Sequence, residues 1–409
     1  MGVGDRFGRQ AAAQLQALQQ AAAMGVRITP VWNKSQREHS IIGSAPGETR
    51  RAADAAVRAC RWTGAYFVDA DHIGLKTVDA FIDAADFFTL DVADWIGKAP
   101  EPAAAAAFVK QHVGRGGALE VPGVADGVAV TRELLEGIAA RYLAAVAEAG
   151  RIYRHIAQRK AAGTFVTEVS MDECAQPQTP VELYFILGAL AAEGVPAQTI
   201  APKFSGSFFK GIDYRGDVER FAREFEEDLA VIAQARRVFA LPAELKVSVH
   251  SGSDKFSLYP IMRQALRRHK AGLHLKTAGT TWLEEVIGLA HAGGAALQLV
   301  KDVYQQAYQR RAELCAPYAA VIDIAPERLP RPAAVRGWSG EEFAAALEHD
   351  AGEPRYNEDF RQLLHVGYKV AAEIGERYTA ALAEHEKIVA LHVADNLFTG
   401  HIHPLFIEK

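Results

Sequence analysis

Acidic, histidine and lysine side chains follow short apolar runs at many points along this chain of 409 residues. A charged group placed directly after a buried strand is costly to desolvate unless water, a partner or a metal ion satisfies it. The recurrence of this pattern predicts an enzyme, although it does not identify the reaction. The residues in such positions are Asp69, Asp71, His72, Asp91, Asp94, Glu168, Asp172, Glu173, Lys203, His250, Ser251, Asp254, Lys255, Lys276, Thr277 and His365.

Some of these residues are of the types that bind a divalent cation. Asp69 and Asp71 are two residues apart, so a strand turns both carboxylates to one face, and the imidazole of His72 follows them. Glu168 lies inside a β-rich run, where a carboxylate has few structural reasons to be. His250 ends a run of β-branched residues. A capped turn at 69–72 and a satisfied core histidine at 250 remain the alternatives.

A second group favours an anion. His274 and Lys276 share one face of a predicted strand, and the small residues at 277–280 follow them. Successive backbone N–H groups in such a turn can form an anion-binding nest. A loop that caps the helix beginning near Trp282 explains the same residues equally well.

Repeated strand–helix units must position these residues. The stretch from Phe221 is predicted as a helix, because Phe225, Leu229, Ile232 and Phe239 fall on one face. Strands are predicted at 66–68, 87–90, 164–167, 198–201, 246–249, 272–275 and 363–364, and more weakly at 40–43. About eight parallel strands separated by helices predict an α/β fold, a TIM-type (β/α)8 barrel with helical insertions.

The barrel is predicted to be one domain that spans residues 1–409. Two intervals are longer than the regular spacing, at about 98–160 and 301–359, and both are interpreted as helical insertions. The glycine-rich start at 2–8 resembles a phosphate loop, but its spacing is wrong and no strand precedes it. We therefore predict a flexible terminus there.

Composition excludes several classes of protein. The net charge of −5 gives no electrostatic reason to expect nucleic acid or an anionic membrane as a partner. The 3 cysteines are far apart, which indicates neither a disulfide framework nor a thiolate zinc site. No apolar run approaches the length of a membrane span, and no signal peptide is evident, so the expected location is the cytoplasm.

Seven sequence blocks resemble the tagaturonate epimerase family, and the resemblance extends over about 41–403. The blocks are VDADHIG (68–74), DFFTLDVAD (86–94), EVSMDE (168–173), IAPKFSG (200–206), VHSGSDKF (249–256), LHLKTAGTTW (273–282) and LLHVGYK (363–369). The resemblance implies a metal-dependent enzyme that interconverts tagaturonate and fructuronate, two keto-hexuronates that differ at C4. It also implies a small sugar acid as the binding partner, and a homo-oligomer is compatible with it.

Roles for individual residues combine this resemblance with the positions at strand ends. His72, Glu168 and His250 are predicted to bind zinc, manganese, nickel or cobalt, among which the sequence does not choose. Asp71 is predicted as the acid/base, and Lys203 or Lys276 is predicted to orient the substrate or assist proton transfer. The residues predicted to bind the substrate are Ser251, Asp254, Lys255, Thr277 and His365, with Lys255 and Thr277 at the carboxylate.

The chemistry favours a retro-aldol route, because C4 is β to the ketone and direct proton abstraction there is poorly stabilised. A transient oxidation by a nicotinamide is disfavoured, since no dinucleotide fingerprint is visible. The competing interpretations are a Schiff-base aldolase that uses Lys276, a metal-dependent aldolase, an isomerase that moves a carbonyl between C1 and C2 of a related sugar acid, and a sugar-acid binding protein without turnover.

Overall fold

Eight parallel strands form a barrel in the computed structural model of the chain, which describes residues 1–113, 118–121, 124, 127–161 and 163–407. Neighbouring strands follow chain order, and the last returns to the first where Val3 pairs with Ala278 and the Ala278 N–H donates to the Gly2 carbonyl at 2.8 Å. The strands are β1 (Gly2–Gly4), β2 (Val31–Ser35), β3 (Phe67–Ile73), β4 (Phe87–Asp91), β5 (Ala118–Leu119), β6 (Val128–Ala129), β7 (Val166–Ser170), β8 (Thr199–Ala201), β9 (Lys246–His250) and β10 (Leu273–Lys276). Of these, β5 and β6 form a separate antiparallel pair, and the other eight form the barrel.

Helices occupy most of the remaining chain, and a short 3-10 turn at Val78–Ala80 connects β3 to β4. The helices are α1 (Ala11–Ala23), α2 (Gln36–Ile42), α3 (Pro46–Ala59), α4 (Pro102–Val113), α5 (Arg132–Ala157), α6 (Pro180–Ala192), α7 (Val218–Val238), α8 (Tyr259–His269), α9 (Thr281–Ala292), α10 (Gly294–Gln309), α11 (Arg311–Cys315), α12 (Pro332–Arg336), α13 (Gly340–Leu347), α14 (Glu358–Val366), α15 (Tyr368–Ile374), α16 (Glu376–Glu384) and α17 (Glu386–Asp395). A π-helical segment, Asn396–Ile407, follows α17. None of the described helices is both long enough and apolar enough to cross a membrane.

Local sequence determines where several helices begin. At the start of α2 the Glu38 N–H donates to the Ser35 hydroxyl and the Ser35 N–H donates to the Glu38 carboxylate, and Thr179 and Glu182 form the same capping box before α6. The predicted helix from Phe221 is confirmed as part of α7, with its apolar face buried.

The period of two along each strand explains how the barrel is filled. In β3 the side chains of Val68 and Ala70 are buried in the apolar core, while Asp69 and Asp71 contact Lys276 from β10. Alternate residues of the other barrel strands follow the same rule. The barrel interior is therefore polar, and the apolar core lies between the strands and the surrounding helices.

A second apolar core lies among the C-terminal helices. It includes Trp282, Val286, Tyr304, Phe343 and Phe360, and α17 packs against both α9 and α1. Everything described after β10 is helical or irregular, including the predicted insertion at 301–359. The predicted insertion at 98–160 contains α4, α5 and the β5–β6 pair, and some of its residues lie outside the described part of the chain.

The predicted TIM-type barrel with helical additions is confirmed, but two of its strands were placed wrongly. Residues 40–43 and 363–364, predicted as strands, lie in α2 and α14 or at their ends. The missing strands are β1, inside the glycine-rich start that was predicted to be flexible, and β2. β1 has only three residues, which carry too little periodicity to be recognised from sequence, and β2 contains Asn33, Lys34 and Ser35 in place of a continuous apolar run. The description of residues 1–409 as one domain stays a prediction.

Candidate active site

The carboxylate of Glu168 connects five barrel strands. Glu168 belongs to β7 and its side chain is fully buried. Its Oε1 lies 2.8 Å from Nε2 of His250, and its Oε2 lies 3.0 Å from Nδ1 of His274 and accepts a hydrogen bond from Thr199 at 2.7 Å. Thr89 of β4 donates to Oε1 at 3.2 Å. Burial alone raises the pKa of Glu168, but the charges of Lys276, His250 and His274 hold it well below its usual range.

Lys276 is held by three carboxylates. Its Nζ lies 2.6 Å from Asp69 Oδ2, 2.8 Å from Asp71 Oδ1 and 3.4 Å from Glu168 Oε1, and it also donates to the hydroxyl of Thr89. Burial lowers the pKa of Lys276, yet Asp69, Asp71 and Glu168 together raise it above its ordinary value. The side chain is therefore a firmly protonated ammonium.

Two histidines and an aspartate meet at the carboxyl ends of the strands. The rings of His72 and His250 lie 5.1 Å apart between centroids. Asp172, two residues after β7, places Oδ1 3.1 Å from Nδ1 of His250. One ligand atom from each of the three residues lies within 4.8 Å of the other two, which is close enough for all three to contact one metal ion.

Hydrogen bonding leaves one nitrogen of each ring for this site. Nε2 of His250 contacts the ionised Glu168, an acceptor only, so it must carry the proton. Nδ1 of His250 is buried and, despite its distance from Asp172, forms no hydrogen bond of acceptable geometry with any described residue. Nδ1 of His72 lies 3.0 Å from Asp91 Oδ2, which leaves Nε2 of His72 as its second nitrogen. A carboxylate behind each imidazole is the arrangement that orients metal-binding histidines.

The site attracts positive charge. Burial opposes protonation of His72, but Asp71, Asp91 and Asp172 raise its pKa to about 10. Burial likewise lowers the pKa of His250, while Asp172 and Glu168 raise it to about 9. Carboxylates that hold two protons on imidazoles also stabilise a divalent cation that replaces those protons, so the donor set fits a metal ion.

A cavity of about 740 Å³ borders this cluster. Its lining includes Asp91 behind His72 and Glu173 beside Asp172, together with Asp94 and Arg141. Small-molecule sites are usually about 300–1,000 Å³, so this cavity has the size of a small-molecule site.

Comparison with known proteins adds the family to this geometry. The family model described as tagaturonate epimerase matches residues 1–385. This chain belongs to the tagaturonate epimerase family. A tagaturonate/fructuronate epimerase of Thermotoga maritima is 28% identical over 415 aligned residues, which cover 97% of this chain and 78% of that protein. Family membership makes this protein an isomerase of the carbohydrate epimerase class.

Solved structures agree with the fold. The crystal structure of a fructuronate–tagaturonate epimerase from Cohnella laeviribosi in complex with one glycerol superposes with a TM-score of 0.81 at 24% identity, covering 99% of this chain and 80% of that chain. The same enzyme with two glycerols gives a TM-score of 0.80 at 24% identity, covering 100% of this chain and 81% of that chain.

The structure brings some of the residues predicted from sequence close to the cluster of His72, Asp172 and His250. Lys203 lies beside it, with Nζ donating to the Asp172 carbonyl at 3.3 Å. Ser251 directly follows His250 and is partly exposed. Thr277 follows Lys276, and its hydroxyl accepts a hydrogen bond from Asn33 at 3.0 Å. The metal-ligand, catalytic and substrate-binding roles of these residues stay predictions.

Two residues that were predicted to bind the substrate, Lys255 and Asp254, are engaged in other contacts. Lys255 is 1% exposed, and its ammonium donates to the carbonyls of Phe209, Ile212 and Ser253, which uses all three hydrogens. Asp254 is fully buried and paired with Arg361 at 2.7 Å. Neither side chain has a group left for a ligand, so we do not retain these two assignments.

His365 was predicted to follow a strand and instead lies in the last turn of α14. Its ring faces Gly211, where an added Cβ atom would lie 3.4 Å from Cδ2 of His365. Burial, with the charges of Arg6, Lys210 and Arg361, holds the pKa of His365 well below its usual range, so the ring is neutral. A helix rather than a strand therefore brings this residue to the barrel.

Four residues near the site received no role from sequence. Asp172 and Asp91 stand in the strand-end pattern, but nothing in it indicates which histidine each contacts. Arg6 follows β1, which was not recognised as a strand. Lys210 lies in the middle of the long connection between β8 and α7, nine residues after β8 ends, so it does not stand in the strand-end pattern.

Proposed function

We propose that this protein interconverts tagaturonate and fructuronate by inverting C4, with a divalent cation held by His72, His250 and Asp172. The proposed reaction rests on the match of residues 1–385 to the tagaturonate epimerase family. The meeting of two oriented imidazoles with one carboxylate supports the metal. The cation would polarise the ketone oxygen as a Lewis acid.

Asp172 replaces Glu168 in the ligand set that we propose. Both oxygens of Glu168 already contact donors from neighbouring strands, including His250 and Thr199. Its distance of 2.8 Å from His250 fits a residue that orients the imidazole. Asp172 reaches the opposite nitrogen of the same ring.

We further propose a retro-aldol route. A base removes the proton of the C4 hydroxyl group and the C3–C4 bond breaks. C4 and its oxygen become an aldehyde, and the electron pair of the broken bond moves to C3. After the aldehyde turns over, the bond re-forms on its other face and the proton returns to the C4 oxygen. No atom is gained or lost, as an epimerisation requires.

Asp71 is the proposed acid/base. Burial raises the pKa of Asp71, but the charges of Lys276 and His72 lower it by more than burial raises it. Asp71 is therefore a carboxylate at neutral pH and can accept a proton. Lys276 positions Asp71 through the 2.8 Å ion pair. Lys203, beside Asp172, is the proposed second group for orienting the substrate.

The Schiff-base alternative fits this geometry poorly. A nucleophilic lysine must lose its proton, whereas three carboxylates keep Lys276 charged. An isomerase that moves a carbonyl between C1 and C2 could use the same metal site, and a binding protein would show affinity without turnover.

Product analysis tests the proposal. Metal-loaded protein is incubated with fructuronate, and NMR follows the configuration at C4. We expect tagaturonate to form, the reverse reaction to reach the same equilibrium ratio, and a chelator to stop both. An aldose product would instead establish the isomerase, and binding without any product would establish the binding protein.

A further inference from the structure

The connection between β8 and α7 contains Lys210, and hydrogen bonds hold the backbone at this residue and on both sides of it. Lys255 donates to the carbonyls on either side, Phe209 at 2.8 Å and Ile212 at 2.7 Å. Nε of Arg361 donates to the Gly211 carbonyl at 2.6 Å. The N–H of Lys210 itself donates to Val321. Two buried cations and one backbone bond therefore hold the four residues 209–212 in place.

These contacts involve only backbone atoms of the segment, and the ammonium of Lys210 has no partner among the described residues. Its side chain is partly buried, yet Nζ makes no hydrogen bond or ion pair to the residues that the structure describes. Burial and the nearby charge of Arg6 lower the pKa of Lys210, and Glu38, Asp71 and Glu173 oppose them. The residues whose charges act on this ammonium include Arg6, Asp71 and Glu173, which lie near the carboxyl ends of barrel strands, so we infer that it lies toward that end of the barrel. A partly desolvated cation without a partner gains from a bound anion.

Of the side chains near Lys210, Arg6 is a cation that is paired with Glu38, and His365 is neutral. The guanidinium of Arg6 lies 4.3 Å from the ring centre of Tyr368 while its Nε contacts Glu38 at 3.0 Å. His365 lies against Gly211, next to Lys210 in sequence. A substrate with a carboxylate at one end and a ketone at the other offers an anion to the unpaired Lys210 ammonium and a carbonyl oxygen to the cluster of His72, Asp172 and His250.

We infer that Lys210 receives the carboxylate of the hexuronate, with Arg6 beside it, and that Lys255 and Arg361 are positioning residues for the segment 209–212. This inference rests on the proposed function and adds the residue that separates a uronate from a neutral ketose. Lys255, predicted from sequence to contact the carboxylate, acts through the backbone that presents Lys210.

The test compares Lys210→Met with Lys387→Met, an exposed lysine on α17, as the matched control. For Lys210→Met we expect kcat/KM for fructuronate to fall about 10- to 100-fold, mainly through KM, because one charge-assisted contact is lost. Inhibition by fructose, which has a hydroxymethyl group in place of the carboxylate, should be unchanged, as should the metal content. Lys210→Arg should recover part of the loss. Equal effects on fructuronate and fructose, or none on either, would overturn the inference.

Binding measurements separate this inference from the proposed function. Calorimetry with fructuronate and wild-type protein needs no turnover. If the wild type binds fructuronate without converting it, the proposed function fails, and weaker binding by Lys210→Met still supports the carboxylate site. If the wild type binds no hexuronate, both fail.

Lys255→Met tests the positioning role. We expect weaker fructuronate binding with unchanged fructose inhibition, because the segment 209–212 loses its anchor but the metal cluster does not. Thermal unfolding identifies any general loss of structure. Fructose inhibition that weakens as much as fructuronate binding would contradict a role confined to the carboxylate end.

Discussion

His72 and His250 meet in a T-shaped contact, with 5.1 Å between their ring centres, although they come from opposite sides of the barrel. β3 and β9 are the third and seventh of the eight strands in order around the sheet. In an open sheet those strands would be far apart, because neighbouring strands are about 4.8 Å from one another. Closure of the barrel therefore makes this pair of imidazoles.

Metal content should distinguish ligands from the residue behind them. His250→Ala and Asp172→Ala each remove a proposed ligand, so we expect both variants to lose most of their bound metal. Glu168→Gln holds the His250 ring in place less firmly, and we expect the metal affinity of this variant to fall about 10- to 100-fold without being abolished. Elemental analysis after dialysis measures the content, with His155→Ala on α5 as the control. Full metal content in Asp172→Ala would exclude Asp172 as a ligand.

Removal of the Lys276 ammonium should destabilise the fold. Lys276→Met leaves Asp69, Asp71 and Glu168 buried without their shared cation, and breaking a buried ion pair in this way costs about 3–5 kcal/mol. Denaturant unfolding measures the loss. The double variant with Asp69→Asn should be less unstable than additivity predicts, since one repelling charge is gone. Strict additivity would show that Lys276 and Asp69 do not interact energetically.

Treatment with borohydride in the presence of fructuronate should leave Lys276 unmodified. The three carboxylates raise the pKa of this ammonium, so little free amine exists to attack the ketone. Intact mass spectrometry and peptide mapping provide the measurement. A reduced adduct on Lys276 would instead support the Schiff-base mechanism.

Asp71→Asn should lower kcat by about 10²- to 10⁴-fold, the usual contribution of a general acid or base. KM should change little, because the amide keeps the size of the side chain. Initial rates of tagaturonate formation provide the measurement, and metal content must stay at the wild-type value for the interpretation to hold. A kcat within threefold of the wild type would remove Asp71 from the proton transfer.

Stability should depend on pH through Glu284 on α9. Burial raises the pKa of Glu284 to about 8 from an ordinary value of 4.5, with Arg361 acting against this and Asp254 in the same direction. Between pH 4.5 and 8 the folded protein therefore keeps a proton that the unfolded chain releases, and this group's contribution to stability falls as pH rises through that window.

Glu284→Gln removes that dependence. We expect the variant to match the wild type in free energy of unfolding near pH 4.5, and to exceed it by at least about 1 kcal/mol near pH 8, with no further gain above. Urea unfolding at several pH values provides the measurement. A difference that is constant with pH would mean that Glu284 titrates alike in the folded and unfolded chain.

Strand ends were the informative part of the sequence. A charged residue after an apolar run is rare without a cause, so Asp71, His72, Glu168, His250 and Lys276 could be singled out without coordinates. Their convergence follows from the parallel barrel, because all strands end at the same rim. The helix α14 misled the prediction at 363–365, since a short apolar run fits a strand or a buried helix equally well.

The sequence alone determined the family, the barrel and the set of ionisable residues at its mouth, because those depend on residue types and on local periodicity. The tertiary structure decided which of them touch. It placed Glu168 behind His250, engaged every hydrogen of the Lys255 ammonium with backbone carbonyls, and left the Lys210 ammonium without a hydrogen bond or ion pair among the described residues. These distinctions depend on distances of a few ångströms between strands far apart in the chain, which no local pattern records.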